Sequence, residues 1–185
     1  VEQRDLSQDT ARFFMKAPDN NVLEFALALR DIQVEGDDEF ILTDAFYRNL
    51  TGITTEDARV QIIAIGATSF RHYLELARIQ GNRVAALSDN DGDYQQSCVE
   101  RFNDMTSPER RVYGDEDASR STFESCVYRD NTELCERLFV GTRRRLSVQE
   151  YMLANKAVAA FWQLEARARM TIPAYISEAI AGINA

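Results

Sequence analysis

Two stretches far apart in the chain limit what it can fold into: Asp31–Phe40, DIQVEGDDEF, and Ala85–Asp93, AALSDNDGD. In each, a short apolar run stops abruptly at carboxylates beside a glycine. Such a run is a strand of a parallel sheet buried on both faces, and acids at its end gather at the C-terminal edge, where open α/β folds bind ligands. Crowded carboxylates repel one another and stay ionised together only when a cation neutralises them.

The intervening pattern supports this reading. Ile32–Glu35 is expected as a strand, Gly36 as a sharp turn, and Asp37/Asp38 as the start of a helix to about Asn49. Val60–Ile65, VQIIAI, is the clearest strand and Gly66 ends it; Ser69–Ile79 has helical spacing; Arg83–Leu87 is the third strand. Strand–helix alternation implies a mostly parallel sheet with helices on both faces and right-handed crossovers. Before it, Val22–Leu29 favours helix. Beyond Gly92, the pattern predicts a helix over Tyr94–Phe102, a short strand at Arg111–Tyr113 and a fifth at Thr122–Cys126. Helices follow over Asn131–Phe139, from Ser147 to about Met170 behind a Ser147/Glu150 capping box, and over Ile172–Ile183 beyond the Pro173 interruption.

A chain of 185 residues, 45% hydrophobic, suffices for one sizeable core. Its net charge of −9 excludes coating nucleic acid through bulk charge, which needs lysines and arginines facing phosphates. A local basic face has candidates in Arg110-Arg111, Arg143-Arg144-Arg145 and Arg167/Arg169. Cys98, Cys126 and Cys135 form no paired framework and suit a reducing, cytoplasmic setting; with His72 the only histidine, a Cys/His zinc site is not expected. No apolar stretch approaches the roughly 18 residues of a membrane span. A start at valine is read as a fragment of a longer polypeptide.

The chemistry centres on acids. Glu35 ends a strand, Glu39 follows four residues later in the first helical turn, and Asp89 and Asp91 flank Asn90 on a strand-end turn. Hard oxygen ligands suit Mg²⁺ or Mn²⁺. For Asp37 and Asp38 the helix dipole is the preferred explanation, and it competes with a ligand role for Glu39. Asp89 and Asp91 also suit a turn, and a lone DxD is a weak motif. Lys156 has Met152, Leu153, Ala159 and Ala160 three and four positions away, so an ammonium leaves an apolar helix face, either to snorkel or to stabilise charge on a phosphate.

Val34-Glu35-Gly36 followed two strands later by Asp89-Asn90-Asp91 resembles the Toprim domain of topoisomerases, primases and nucleases. The flanking segments resemble its OLD (overcoming lysogenisation defect) branch: Arg12-Phe13-Phe14, the EGDDE run, the IGATSF turn, Thr122-Phe123-Glu124 and Tyr151–Lys156. The resemblance implies an α/β Toprim-like fold with a C-terminal helical segment: a connector over 1–20, the catalytic core over 21–140, and helices packed on it over 141–185. It implies metal ligands at Glu35, Glu39, Asp89, Asp91 and Glu124, with Glu133 competing for the last place, and catalytic roles for Glu35 and Lys156. The implied activity is a Mg²⁺- or Mn²⁺-dependent DNA endonuclease using two ions, roughly 3.5–4 Å apart, with Ca²⁺ binding but not supporting cleavage. The implied partners are DNA and an upstream ATPase domain through which the full-length protein dimerises; no membrane is involved. No GxxxxGK[ST] occurs here.

Two departures stand out. Asp31 and Gln33 interrupt a first strand that is usually apolar throughout, which predicts a position nearer a sheet edge, and Ala67 stands where a second glycine is common. Three other readings compete: a topoisomerase- or primase-like role, in which strand passage needs a tyrosine nucleophile and a gate domain, a phosphoacceptor receiver domain, and a non-catalytic metal-binding interaction module.

Overall fold

A computed structural model describes residues 5–16, 21–66, 68–141 and 145–185. Ala67, Arg143 and Arg144, singled out above, lie outside the described residues. In chain order the elements are α1 (Gln8–Lys16), α2 (Val22–Leu27), β1 (Arg30–Val34), α3 (Asp37–Thr51), α4 (Thr55–Ala58), β2 (Gln61–Ala64), α5 (Phe70–Gln80) and β3 (Arg83–Leu87). A π-helical turn (Gln95–Val99) and a 3-10 turn (Glu100–Phe102) lead to β4 (Arg110–Tyr113). Then come α6 (Phe123–Asp130), α7 (Thr132–Leu138), α8 (Val148–Ala154), α9 (Lys156–Ala166), a 3-10 turn (Arg167–Arg169) and α10 (Ala174–Asn184).

The four strands form one parallel sheet in the order β2-β1-β3-β4, with Ile32 opposite Ile62 on one side and Ala85 on the other. Alternation along each strand feeds two cores. Ile32, Val34, Ala85 and Leu87 face a cluster that includes Leu42 and Phe46 of α3, Ala159 and Ala160 of α9, and Ile176, Ala179, Ile180 and Ile183 of α10. Val84, Ala86 and Ile63 face Phe25 of α2 and Phe70, Tyr73 and Leu74 of α5. Each fully buried Val, Leu, Ile or Phe side chain among them contributes about 1.5–3 kcal/mol. The α/β architecture with helices on both faces is thus as the sequence predicts.

Four local expectations are corrected. β1 lies inside the sheet, not near an edge. Asp31 and Gln33 are tolerated there because Gln33 Nε2 donates to Asp31 Oδ1 at 2.8 Å, and burial, opposed by that bond, pushes the Asp31 carboxyl up to about 8. The strand therefore carries a neutral acid at neutral pH. Thr122–Cys126 is no strand: Thr122 Oγ1 accepts the Ser125 N–H and starts α6. The long helix from Ser147 is capped as expected but breaks at Asn155, whose φ of −135° and ψ of 45° separate α8 from α9. Gly36 sits in extended backbone, φ −138°, so the turn does not need a left-handed residue; an added Cβ would instead lie 3.0 Å from Asp38 Oδ1.

Candidate metal centre

β1 and β3 are neighbours whose C-terminal connections leave in opposite directions, towards β2 and β4 respectively. Such a switch point opens a crevice at the carboxyl edge of a parallel sheet. Glu35 leaves β1 there and Asp89 leaves β3. An open cavity of about 310 Å³ is lined by Glu35, Gly36, Asp37, Asp38, Lys156 and Ala157.

The backbone around the crevice is laced by the acids themselves. Glu35 Oε1 accepts the Asp89 N–H at 3.1 Å and the Ser88 hydroxyl at 3.2 Å. Asp89 Oδ1 accepts the Phe123 N–H at 2.8 Å, which ties the β3 end to the first turn of α6. Glu39 Oε2 accepts the Gly36 N–H at 2.6 Å and holds the start of α3. Glu124, in the first turn of α6, is 3% exposed, and its Oε1 lies 2.5 Å from Lys156 Nζ at the start of α9. Five element ends thereby meet at one place.

Burial of so many carboxyls has an electrostatic consequence. Burial first, and then the charge of Glu35, carries Asp89 up to about 7. Burial and Glu124 carry Asp38 up to about 6. Glu35 is raised by burial, although bonds from Asp89 and Ser88 oppose it, and Glu39 is held well above the usual range by burial and then Asp89. Partial burial acts downward on Lys156, yet its bond to Glu124 and the charges of Glu124, Asp38 and Asp89 keep its ammonium above the ordinary value.

Whether a divalent cation fits can be judged from atoms left without donors. Among the described residues, Glu124 Oε2 and Asp38 Oδ2 are buried and accept no hydrogen bond. Buried acceptors of this kind cost about 1–3 kcal/mol each unless something satisfies them. A hard cation satisfies them and relieves the repulsion that raises the neighbouring acids, so the donor set fits one. Among the described residues no three of these side chains already converge as a formed coordination shell.

The expected residues separate as follows. Glu35, Glu39, Asp89, Glu124 and Lys156 come together; Asp91, whose charge acts on Glu35, is exposed and does not line the cavity, with left-handed φ of 50° and its N–H directed at Ser121 O. Glu133 lies exposed on α7 and Asp93 caps the π-helical turn through Gln96 N, so neither joins the cluster. Asp38, assigned to the helix dipole above, is 3% exposed and belongs with Glu124. In the sequence Asn90 is only the spacer of the DxD. Its Nδ2 donates to the carbonyls of Asp115, Asp117 and Arg120, while Arg120 pairs with Asp115 and Asp130, so this node fixes the loop that delivers α6. Asparagine in a turn signals such local bonding, but its partners lie too far along the chain to be read from sequence.

No curated protein matches the chain. Residues 28–91 match the family model described as "Overcoming lysogenization defect protein-like, TOPRIM domain", a segment that holds Glu35, Glu39, Asp89 and Asp91. Toprim domains typically bind divalent metal ions and belong to nucleic-acid-processing proteins of the nuclease and primase type. With the parallel sheet, the acids at its switch point and this match in hand, residues 28–91 are similar to the Toprim domain of OLD-like proteins.

Proposed function

We propose that the protein is a divalent-metal-dependent DNA endonuclease. The observation that carries this reading is the meeting of Glu35, Asp89, Asp38 and Glu124 with Lys156 at one crevice, where buried carboxylate oxygens lack donors. Glu35, Glu39, Asp89, Asp91 and Glu124, joined by Asp38, would hold Mg²⁺ or Mn²⁺. When bound, the ions supply Lewis acidity and a nucleophilic water at neutral pH.

The chain's own groups divide the remaining work. Glu35, raised above the ordinary carboxylate range by burial and lining the cavity, suits a proton acceptor. Lys156, half exposed on the cavity wall, remains cationic and would offset charge developing on a phosphate oxygen. Glu124 holds that ammonium in place until a phosphate competes for it. Every residue used lies between Glu35 and Lys156, so activity is expected without the upstream ATPase domain that the resemblance implies.

The test is cleavage of supercoiled and linear DNA with Mg²⁺, Mn²⁺ or Ca²⁺. Glu35→Gln and Asp89→Asn should each lower the rate by about two orders of magnitude or more. Their melting temperatures without metal should be unchanged or higher, because each removes a buried, repelled carboxylate. Full activity in either variant would sink the assignment.

A further inference from the structure

Beyond the DND turn, between the end of β4 and the first turns of α10, lies a second cavity of about 330 Å³. Its walls include the rings of Tyr94, Tyr113 and Tyr175 and the carboxylates of Asp115, Glu116 and Glu178. Asp115 is neutralised by Arg120, Nε to Oδ2 at 2.7 Å. Among the described residues no cation pairs with Glu116 or Glu178, and none of the three rings stacks on another aromatic ring or carries a cation.

Two further observations mark the cavity as built rather than incidental. Tyr175 is only 7% exposed, yet among the described residues its hydroxyl has no hydrogen-bond partner. Gly182 sits inside α10, where glycine costs about 1 kcal/mol against alanine. A Cβ there would collide with the Tyr113 hydroxyl, so glycine is what lets that ring lie against the helix.

Tyrosine rings that hold no cation, beside carboxylates that hold none, favour the same kind of ligand: a ring quadrupole attracts a cation, and desolvation strengthens the attraction. Phosphate groups are repelled from such a wall. A bare metal ion is a poorer match, because Asp115, one of the three acids, is already paired with Arg120. Burial first, and then Cys98, Glu116 and Glu178, hold the Tyr94 hydroxyl above its ordinary value, as a negative cavity would.

We propose that this cavity binds an organic cation through an alkylammonium or guanidinium group, at a site separate from the acids of the crevice. The proposal does not depend on nuclease activity. Two sources carry that chemistry, a free polyamine and a lysine or arginine side chain of a polypeptide.

Calorimetric titration of the whole chain with spermidine, and separately with a blocked arginine–lysine peptide, distinguishes them. Saturable binding of spermidine assigns the site to polyamines, and saturable binding of the peptide alone assigns it to side chains. In either case the paired substitution Glu116→Gln/Glu178→Gln, on exposed carboxylates, should weaken binding at least about tenfold, as should Gly182→Ala. Glu35→Gln should leave it unchanged. The proposal is overturned if neither probe saturates in the millimolar range, if the Glu116/Glu178 pair of substitutions has no effect, or if Glu35→Gln abolishes binding.

Discussion

Asp31 is an acid that the fold keeps neutral. Its carboxyl is raised to about 8, above its ordinary 3.8, so the folded state holds a proton that the unfolded state releases. Its contribution to stability therefore falls as pH climbs from about 4 to about 8 and stays low above. Asp31→Asn, which keeps an acceptor for Gln33, should raise stability by about 2–4 kcal/mol near pH 9 and by little near pH 4, read from thermal melts. A pH-independent change would contradict the account. Lys156 and Glu124 make the opposite case: Lys156→Met leaves a buried carboxylate uncompensated and should cost about 1–3 kcal/mol, discounted because the lysine is half exposed. Adding Glu124→Gln should recover most of that loss, whereas strict additivity would show that the two do not interact. Lys156 was legible in the sequence because a lone ammonium on an apolar helix face needs a reason. Asp38 was not, since an aspartate in a first helical turn is already explained by the dipole, and only its meeting with Glu124 shows more.

Elements meet at the crevice because the β4–α6 loop is pinned. Asn90, 1% exposed, holds three of its carbonyls and accepts the Gly92 N–H through Oδ1. Asn90→Ala should destabilise the chain by about 2–4 kcal/mol and weaken metal binding, because α6 then no longer delivers Glu124 firmly. A stable Asn90→Ala variant with unaltered Mn²⁺ affinity would remove Asn90 from the site's support. Strands β1, β2 and β3 and their helices were readable because apolar runs and helical periods are local signals. The α6 start is not legible because Thr122–Cys126 is short and mixed, and its decisive feature is a cap in which Thr122 Oγ1 accepts the Ser125 N–H. The break at Asn155 was hidden for a different reason: helical periodicity continues on both sides of it, and only backbone angles reveal the kink.

Over the whole molecule, the two-sided sheet followed from strand–helix alternation, whereas the convergence of α6 and α9 on the β1/β3 crevice depends on long-range packing that no local pattern encodes. That convergence makes stability depend on pH and cation together. Glu35, Glu39, Asp38 (about 6) and Asp89 (about 7) are all raised, so without metal the fold should lose stability as pH rises from about 4 through about 7. A bound cation needs these groups deprotonated and so acts against that loss. The rise in melting temperature on adding Mn²⁺ should accordingly be larger at pH 8 than at pH 5, and an equal rise at both would contradict the linkage. The most direct test of a shared cation site is calorimetry of Mn²⁺ binding to the chain, to Glu35→Gln and to Asp89→Asn, near pH 7 in buffers of different ionisation enthalpy. Saturable binding with proton release in the parent, weakened at least about tenfold in both variants, is the predicted result; no binding in the parent, or unchanged affinity in the variants, would contradict it.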